Sequence, residues 1–390
     1  MSLGVWELPE ELRMVQETVR RFMQGEIRPL EDKLEHDAYY MPAEMLAPLR
    51  KKARELGLWC FRTPREYGGA GLNLLGQAIV AEEMARCRMG VQVPACGVFG
   101  DDPPNVIFLG TRSQIERYGL PAVQAGKRVF IAISEPSGGS DPARAIRTRA
   151  EKRGDRYVIN GQKMWITGAG GADWGLVFAR TGAAGDRAGI SCFIVDGNAK
   201  GLTTRPIPVL RAYYPYEMFF DNVEVPEENL LGKEGQGFAA CEKWLVDGRI
   251  PYAAQRIGPA QEALEIAIEW AKTRETFGSR LADKQAVQWM IADSEMELRA
   301  ARLLTWQAAW QGDLGHDPKV AASIAKLVAT ETAGRVVDRC IQIMGGLGVS
   351  KALPLERWYR ELRINRIGEG PSEVHRMVVA RHLLGGGKKG

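Results

Sequence analysis

The chain changes its hydrophobic period twice, and this double switch limits its fold more than any single motif. From Pro9 to about Gly126 apolar residues recur at spacings of three and four, as in Leu12, Val15, Val19, Phe22 and again Met45, Leu49, Ala53, Leu56. That spacing marks helices with one buried face. From about Arg128 the texture becomes short β-branched and aromatic runs, at 129–133, 157–159, 163–167, 176–179, 192–195 and 218–225. These read as strands, and Asn160-Gly161 between two of them predicts a tight hairpin, because both turn positions need positive φ. After Gly237 helical spacing returns. Ile250, Ala254, Ile257, Ala260, Leu264, Ala267, Ile268 and Ala271 form one long apolar face, in which Pro259 is expected to bend the helix rather than end it. Further helices are expected at roughly 282–311, 318–344, 354–364 and 372–384. The expectation is a mainly α protein with a central β domain: helical domain 1–127, β domain 128–236 and helical bundle 237–390. No period of about 20 to 50 residues repeats, which argues against a solenoid.

Composition removes several function classes. The 52 basic and 48 acidic residues are interspersed and leave a net charge of only +4, so no basic stripe points to nucleic acid. Anionic ligands must be caught by local groups. Cys60, Cys87, Cys96, Cys192, Cys241 and Cys340 form no CxxC pair, and His36, His316, His375 and His382 form no HExxH. Reduced thiols and no metal centre are expected. Glu7, Glu10 and Glu11 stand where a signal peptide would need a basic start and an apolar run, so the expected location is cytoplasmic. No stretch of eighteen apolar residues offers a membrane span. The one GxGxxG match, 385–390, has no room for a strand-turn-helix, and GxxxxGK[ST] is absent. Any nucleotide-like cofactor must be held by a design other than a Rossmann or P-loop site.

Three segments carry chemistry. Ser134 to Asp141 follows a strand with small hydroxyls and glycines, suited to a phosphate or a flavin edge, and equally to a polar turn. Lys163 to Gly168 puts Trp165 and Thr167 on one strand face by the period-two rule. An aromatic plane beside a hydroxyl suits a flat heterocycle, although a lone strand Trp is more often core. In Arg366-Ile-Gly-Glu-Gly-Pro-Ser-Glu-Val-His-Arg376, Glu369 lies between two glycines before a helix start, approachable without side-chain obstruction. That suits a base removing a proton from carbon. Read alone, the segment is more simply a surface turn.

Together these segments make the chain similar to the acyl-CoA dehydrogenase family of flavoproteins over essentially its whole length. The matching stretches are Ile131 to Asp141 (family form roughly TEPxAGSD), Asn160 to Gly168 (NGxKxWIT) and Phe219 to Val225 with Asn229 to Gly237 (FDxVxVPxxNLLGxxGxG). Arg274 to Gly278, Gln342 to Gly346 (QxxGG) and Glu369 to Arg376 (EGTSExxR) complete the set. Six ordered motifs are specific where one would be weak. The resemblance implies an FAD enzyme of acyl-CoA metabolism, a homotetramer or dimer, with helices flanking a β domain. It implies that Ser134, Trp165 and Thr167 contact the isoalloxazine and that Ser140 meets the phosphates of FAD or the pantetheine of CoA. Arg274, Thr276, Phe277, Gln285, Gln342, Gly345 and Gly346 would hold the adenine and pyrophosphate half of FAD in the neighbouring subunit. Ile131 and Ser372 count among further FAD contacts, and Arg249, Gly370 and Arg381 among substrate contacts. Two positions depart from the pattern: Ser134 stands where Thr is usual, and Pro371 replaces the Thr of EGTS, removing a hydroxyl and an N–H.

The implied reaction takes an α-proton and a β-hydride from an acyl-CoA, giving the trans-2-enoyl-CoA. Glu369 would be the base, made more basic by burial, with hydride transfer to flavin N5 near Thr167. The Glu369 N–H and a ribityl hydroxyl would polarise the thioester oxygen. Some members carry the base just before the residue matching Arg249, but here that position is Gly248. An electron-transferring flavoprotein would be the acceptor. The alternatives are an acyl-CoA oxidase using O2 and a non-dehydrogenating flavin-binding member; the latter would want a basic extension that is absent. Gly248 and Gly368 are expected to leave extra room for branched, cyclic or bulky acyl groups over long unbranched ones, while the alternative is that Arg366, three residues before the base, signals an acidic acyl tail.

Overall fold

The computed structural model describes residues 8–183, 185–211 and 213–385, so Glu7 and the glycine-lysine tail from 386 lie outside the described residues. The chain packs into two compact units, each built from separated stretches: Met1–Lys51, Leu72–Val98 and Gly248–Gly390 in one, Lys52–Gly71 and Phe99–Asp247 in the other. The fold is mainly α with a central β domain.

The first unit is helical. Helix α1 (Glu10–Phe22) has acidic residues in its first turn and Arg20 and Arg21 in its last, which complements the helix dipole. Helix α2 (Leu74–Met84) is capped by Asn73, whose side chain accepts from the Gly76 N–H. The long helix α3 (Gly237–Thr273) continues through both Pro251 and Pro259, and its part from Gly248 onward belongs to this unit. Beyond it run α4 (Gln285–Asp313), α5 (Lys319–Met344), α6 (Leu355–Asn365) and α7 (Ser372–Leu383), within about three residues of the expected spans. On α5 the inward positions are small: Ala322, Ala325, Ala329 and Ala333 are fully buried, so neighbouring helices can approach closely.

The second unit is built on an eight-stranded sheet in the order β6-β7-β3-β2-β4-β5-β8, with β1 (Val129–Ala132) parallel to β4. Strands β2 (Arg149–Arg153), β3 (Arg156–Thr167), β6 (Leu202–Pro206) and β7 (Pro215–Pro226) lie on one side of the order. Strands β4 (Trp174–Arg180), β5 (Ile190–Asp196) and the short β8 (Leu230–Leu231) lie on the other. Every residue of β4 is buried, because Val177 and Ala179 enter one apolar cluster while Leu176 and Phe178 enter the other. This two-sided burial explains why β4 and β5 read as continuous apolar runs.

The expected Asn160-Gly161 hairpin is not formed. Strand β3 continues through both residues with a bulge against β7 between Ile159 and Gly161, and the β2–β3 turn lies at Gly154-Asp155, with Arg153 paired to Arg156 and Gly154 at φ +66°. Asn160 instead accepts from the Asn222 N–H across the sheet at 2.8 Å. Gly161 is required for a different reason: a Cβ there would meet Thr148 at 2.6 Å.

Candidate active site

In the β unit, Ser134 and Trp165 are tied together by backbone. The Met164 N–H donates to the Ser134 carbonyl at 2.9 Å, and Lys163 Nζ donates to the Ile133 carbonyl at 3.0 Å and to Glu135 at 2.9 Å. Glu135 also accepts from the Arg147 and Thr148 amides. The Lys163–Glu135 pair is buried, and burial pushes the Lys163 amine down to about 8 while Glu135 pulls the other way. A buried pair this fully hydrogen-bonded fixes geometry more than it adds stability. It anchors the loop after β1 to the strand that carries Trp165 and Thr167.

The strand bulges between Lys163 and Ile166, and Trp165 sits at φ +65°. The bulge leaves both Trp165, 52% exposed, and Thr167 on the open side while Ile166 enters the core. Trp165 is therefore not a core residue. Arg211, buried behind them, donates to the Thr167 hydroxyl at 3.1 Å, a contact the motif search missed. Ile131 and Ser134 are half-buried, whereas Ser140 is exposed. The Gly138 N–H bonds Glu135 within the turn, so the loop keeps that donor for itself.

In the helical unit, Glu369 is half-buried at φ +55° and Gly370 follows at φ +95°. Helix α5 clamps this loop from two of its turns. Lys326 Nζ, fully buried, donates to the Gly370 carbonyl at 2.7 Å. Glu331 accepts from the Ser372 hydroxyl at 2.6 Å and from Arg366 at 2.9 Å, and the Ser372 N–H returns to the Arg366 carbonyl at 3.1 Å. Pro371 is the N-cap of α7 without a side-chain cap, so Glu331 takes over the closing of this turn. The Ser372 hydroxyl is committed to Glu331. A side chain at Gly370 would be strained by its φ of +95° and would crowd His375 Nε2, 3.1 Å from its Cβ position. The room expected beside Gly368 is partly filled: the Tyr252 hydroxyl lies 3.6 Å from where its Cβ would be. Arg249 is buried, and Arg381 is exposed in the last turn of α7.

The remaining motif residues are on the surface of this unit. Arg274 follows α3, with its N–H on the Trp270 carbonyl and its guanidinium 5.8 Å from the Trp270 ring. Thr276 lies in a two-residue strand, Phe277 is fully exposed at φ +51°, and Gln285 opens α4 exposed. Gln342, Gly345 and Gly346 are exposed at the end of α5, with open space around both glycines. Seven non-glycine residues among those described have left-handed backbone, and three of them are Trp165, Phe277 and Glu369. Such strain persists where the surroundings impose it and gathers at functional positions.

Sequence reasoning passed over His375 as one more position on the last helix. It is fully buried beside Gly370, with neither ring nitrogen completing a hydrogen bond. Burial, then Arg249 and Lys326, push it down to about 3, although the backbone of Glu369 and Gly370 favours the proton. A histidine depressed in the fold binds its proton in the unfolded chain first. Its contribution is present above pH 6.5 and is lost as pH falls toward 3, by about 1.4 kcal/mol per pH unit. Thermal unfolding of wild type and His375→Gln at pH 7 and pH 5 should show their stability difference narrowing by about 2 kcal/mol at the lower pH. A difference that stays constant would remove His375 from the acid response.

Other expectations concern metals and membranes. None of the six cysteines is in a disulfide. Glu31, Cys87 and Cys96 lie within ligand distance of one another, but the Glu31 carboxylate accepts from the Arg88 and Met89 amides and the Cys96 thiol. No helix among the described residues is long and apolar enough to cross a membrane.

Comparison with known proteins finds matches along nearly the whole chain. Family models match three consecutive stretches: the acyl-CoA dehydrogenase N-terminal domain at residues 9–127, the middle domain at 131–223 and the C-terminal domain at 235–384. The mitochondrial short-chain specific acyl-CoA dehydrogenase of Mus musculus is 37% identical over 97% of this chain and 91% of its own length. The 3-(aryl)acrylate reductase of Clostridium sporogenes is 36% identical over 96% of this chain and 99% of its own. Butyryl-CoA dehydrogenase from Megasphaera elsdenii superposes with a TM-score of 0.85 at 31% identity, covering 97% of this chain and 99% of that one. With its three matched domains, its whole-length relatives and its exposed, strained aromatic residues, the chain belongs to the acyl-CoA dehydrogenase family of FAD-dependent oxidoreductases.

Proposed function

We propose that this protein forms a double bond between the α and β carbons of an acyl-CoA thioester, with Glu369 taking the α-proton. The observation that carries the reading is the loop of Glu369: a half-buried carboxylate in left-handed backbone, clamped by Lys326 and Glu331. Gly248 offers no competing base. Bound FAD supplies the acceptor for the β-hydride at its N5. The Glu369 N–H donates to the thioester oxygen, and a donor there stabilises charge that develops only as the proton leaves. Thr167, oriented by Arg211, and Trp165 align the ring on the β unit, while Ser134 and Ile131 border it. In the helical unit Arg249, Gly370 and Arg381 would contact the CoA thioester, and in the β unit Ser140 would do so.

Arg274, Thr276, Phe277, Gln285, Gln342, Gly345 and Gly346 would reach the FAD of a second copy, making the enzyme a homo-oligomer, a dimer or a tetramer. The exposure of all of them but Thr276, which is half-buried, supports this reading. Ser372, committed to Glu331, acts on the cofactor turn through the loop. An electron-transferring flavoprotein is the proposed acceptor rather than O2. The test is anaerobic titration of the yellow protein with butyryl-, octanoyl-, isobutyryl- and 3-phenylpropionyl-CoA, followed by admission of air. Bleaching by at least one thioester and slow reoxidation in air are expected. A flavin that no thioester bleaches refutes the dehydrogenase, and rapid peroxide formation would make it an oxidase.

A further inference from the structure

Beside the base lies a second cation that no part of the proposed chemistry uses. Arg256 on α3 is 3% exposed, with no carboxylate at ion-pair distance among the described residues, and its Nη1 has no hydrogen-bond acceptor. Its other donors are satisfied. With the Asn365 amide turned to meet its neighbours, that oxygen accepts from Arg256 Nε at 3.2 Å, from Nη2 at 2.9 Å and from the Tyr252 hydroxyl at 2.7 Å, while its nitrogen donates to the Glu361 carbonyl. The guanidinium carbon lies 3.5 Å from the centre of the Tyr252 ring, so one face of Arg256 is fixed by stacking and one edge by Asn365. Lys326 Nζ lies 5.9 Å from the same ring centre. The Tyr252 hydroxyl is in turn the group 3.6 Å from the Cβ position of Gly368, the residue before the base. Arg256 is thus about one aromatic ring removed from the reacting end of the site.

A buried guanidinium without an anion is costly. Stacking on Tyr252 and the bonds to Asn365 offset part of that cost and hold the fork rigid, but they supply no negative charge. Arg256 acts electrostatically on both Lys326 and Tyr252, as Glu369 does, while Glu331 is paired with Arg366. A ligand that brings its own carboxylate would complete the set, and a planar guanidinium matches a carboxylate better than a point charge does.

We propose that Arg256 receives a carboxylate at the far end of the acyl chain, so that the substrates are mono-CoA thioesters of short dicarboxylic acids. The proposal rests on the dehydrogenase reading and names its substrate class. Tyr252 would flank the acyl chain between the base and this subsite, and Asn365 is the positioning residue that holds the guanidinium edge. With Tyr252 beside Gly368 and a cation behind its ring, a short chain ending in an anion fits this end better than a bulky apolar one.

The experiment compares kcat/KM for glutaryl- and adipyl-CoA with butyryl- and octanoyl-CoA, and measures binding of the same four thioesters by calorimetry. Wild type is expected to favour a dicarboxylic thioester at least tenfold. Arg256→Gln should lower the glutaryl-to-butyryl ratio of kcat/KM by about 50-fold or more, since a site built for a polar group discriminates strongly on it. Arg256→Lys should retain part of the preference. Calorimetry should show the same loss for glutaryl-CoA in Arg256→Gln. Wild-type preference for butyryl- or octanoyl-CoA overturns the proposal while leaving the dehydrogenase intact, and it does so even if the variants do not fold. An unchanged ratio in Arg256→Gln removes Arg256 from the subsite. If none of the four thioesters reduces a flavin that isobutyryl- or 3-phenylpropionyl-CoA does bleach, the subsite fails while the dehydrogenase stands; if no thioester bleaches it, both fail.

Discussion

Glu369→Gln is expected to keep its FAD and its fold and to lose turnover by about four orders of magnitude, consistent with removal of a positioned general base. The amide keeps the shape of the carboxylate, so the left-handed backbone at this position and the Lys326 bond to Gly370 should survive. What disappears is the ability to accept a proton. The measurement is single-turnover flavin reduction by a saturating acyl-CoA, beside the visible spectrum and thermal midpoint of the variant. Reduction within a few-fold of wild type would move the base elsewhere. Gly248 could not be that place, so such a result would also unsettle the alignment of the long helix with the family.

The second large effect is expected from a residue that never touches substrate. Lys326→Met removes the cation that donates to the Gly370 carbonyl and attracts Glu369. The carbonyl is left without its partner and the loop loses one of its two clamps, which should lower kcat by about 100-fold, since small misplacements of a reacting group are expensive. A structural role alone would move the thermal midpoint without changing the pH profile. Burial brings the Lys326 amine down to about 8, against the pull of Glu369. It is charged below that pH and neutral above it. Wild-type kcat should therefore fall several-fold as pH rises through the region near 8, and this limb should be absent in Lys326→Met. A variant that keeps the limb, or one whose kcat is unchanged, would reduce Lys326 to a core residue.

Periodic segments were easy to read because one physical effect dominates them. On α4 and α5 the burial of a helical face sets the pattern, and the expected spans agree with the structure to within about three residues. The Asn160-Gly161 hairpin failed because the signal is local while the cause is not. Gly161 is demanded by Thr148, just before β2, and Asn160 by Asn222. Within the site, motif letters pointed to Trp165, Thr167 and Glu369 but said nothing of the backbone twist at Trp165 and Glu369, which depends on the surrounding loops. Lys326 left a trace that went unread: it stands between Ala322 and Ala329 on an otherwise small apolar face, where a charge needs a partner. Arg256 left a weaker one, because a long helix tolerates polar residues at many positions, and only the fold shows which are sealed from water.

The positive φ of Glu369 also bears on how this enzyme can change over time. An L-residue in that conformation costs about 1–2 kcal/mol that glycine would not. Random substitution screened for heat resistance alone would therefore tend to reward replacement of Glu369 by glycine, and the more stable protein would be inert. Thermostability and chemistry are opposed at this residue, so any programme of stabilisation has to find its gains elsewhere in the chain.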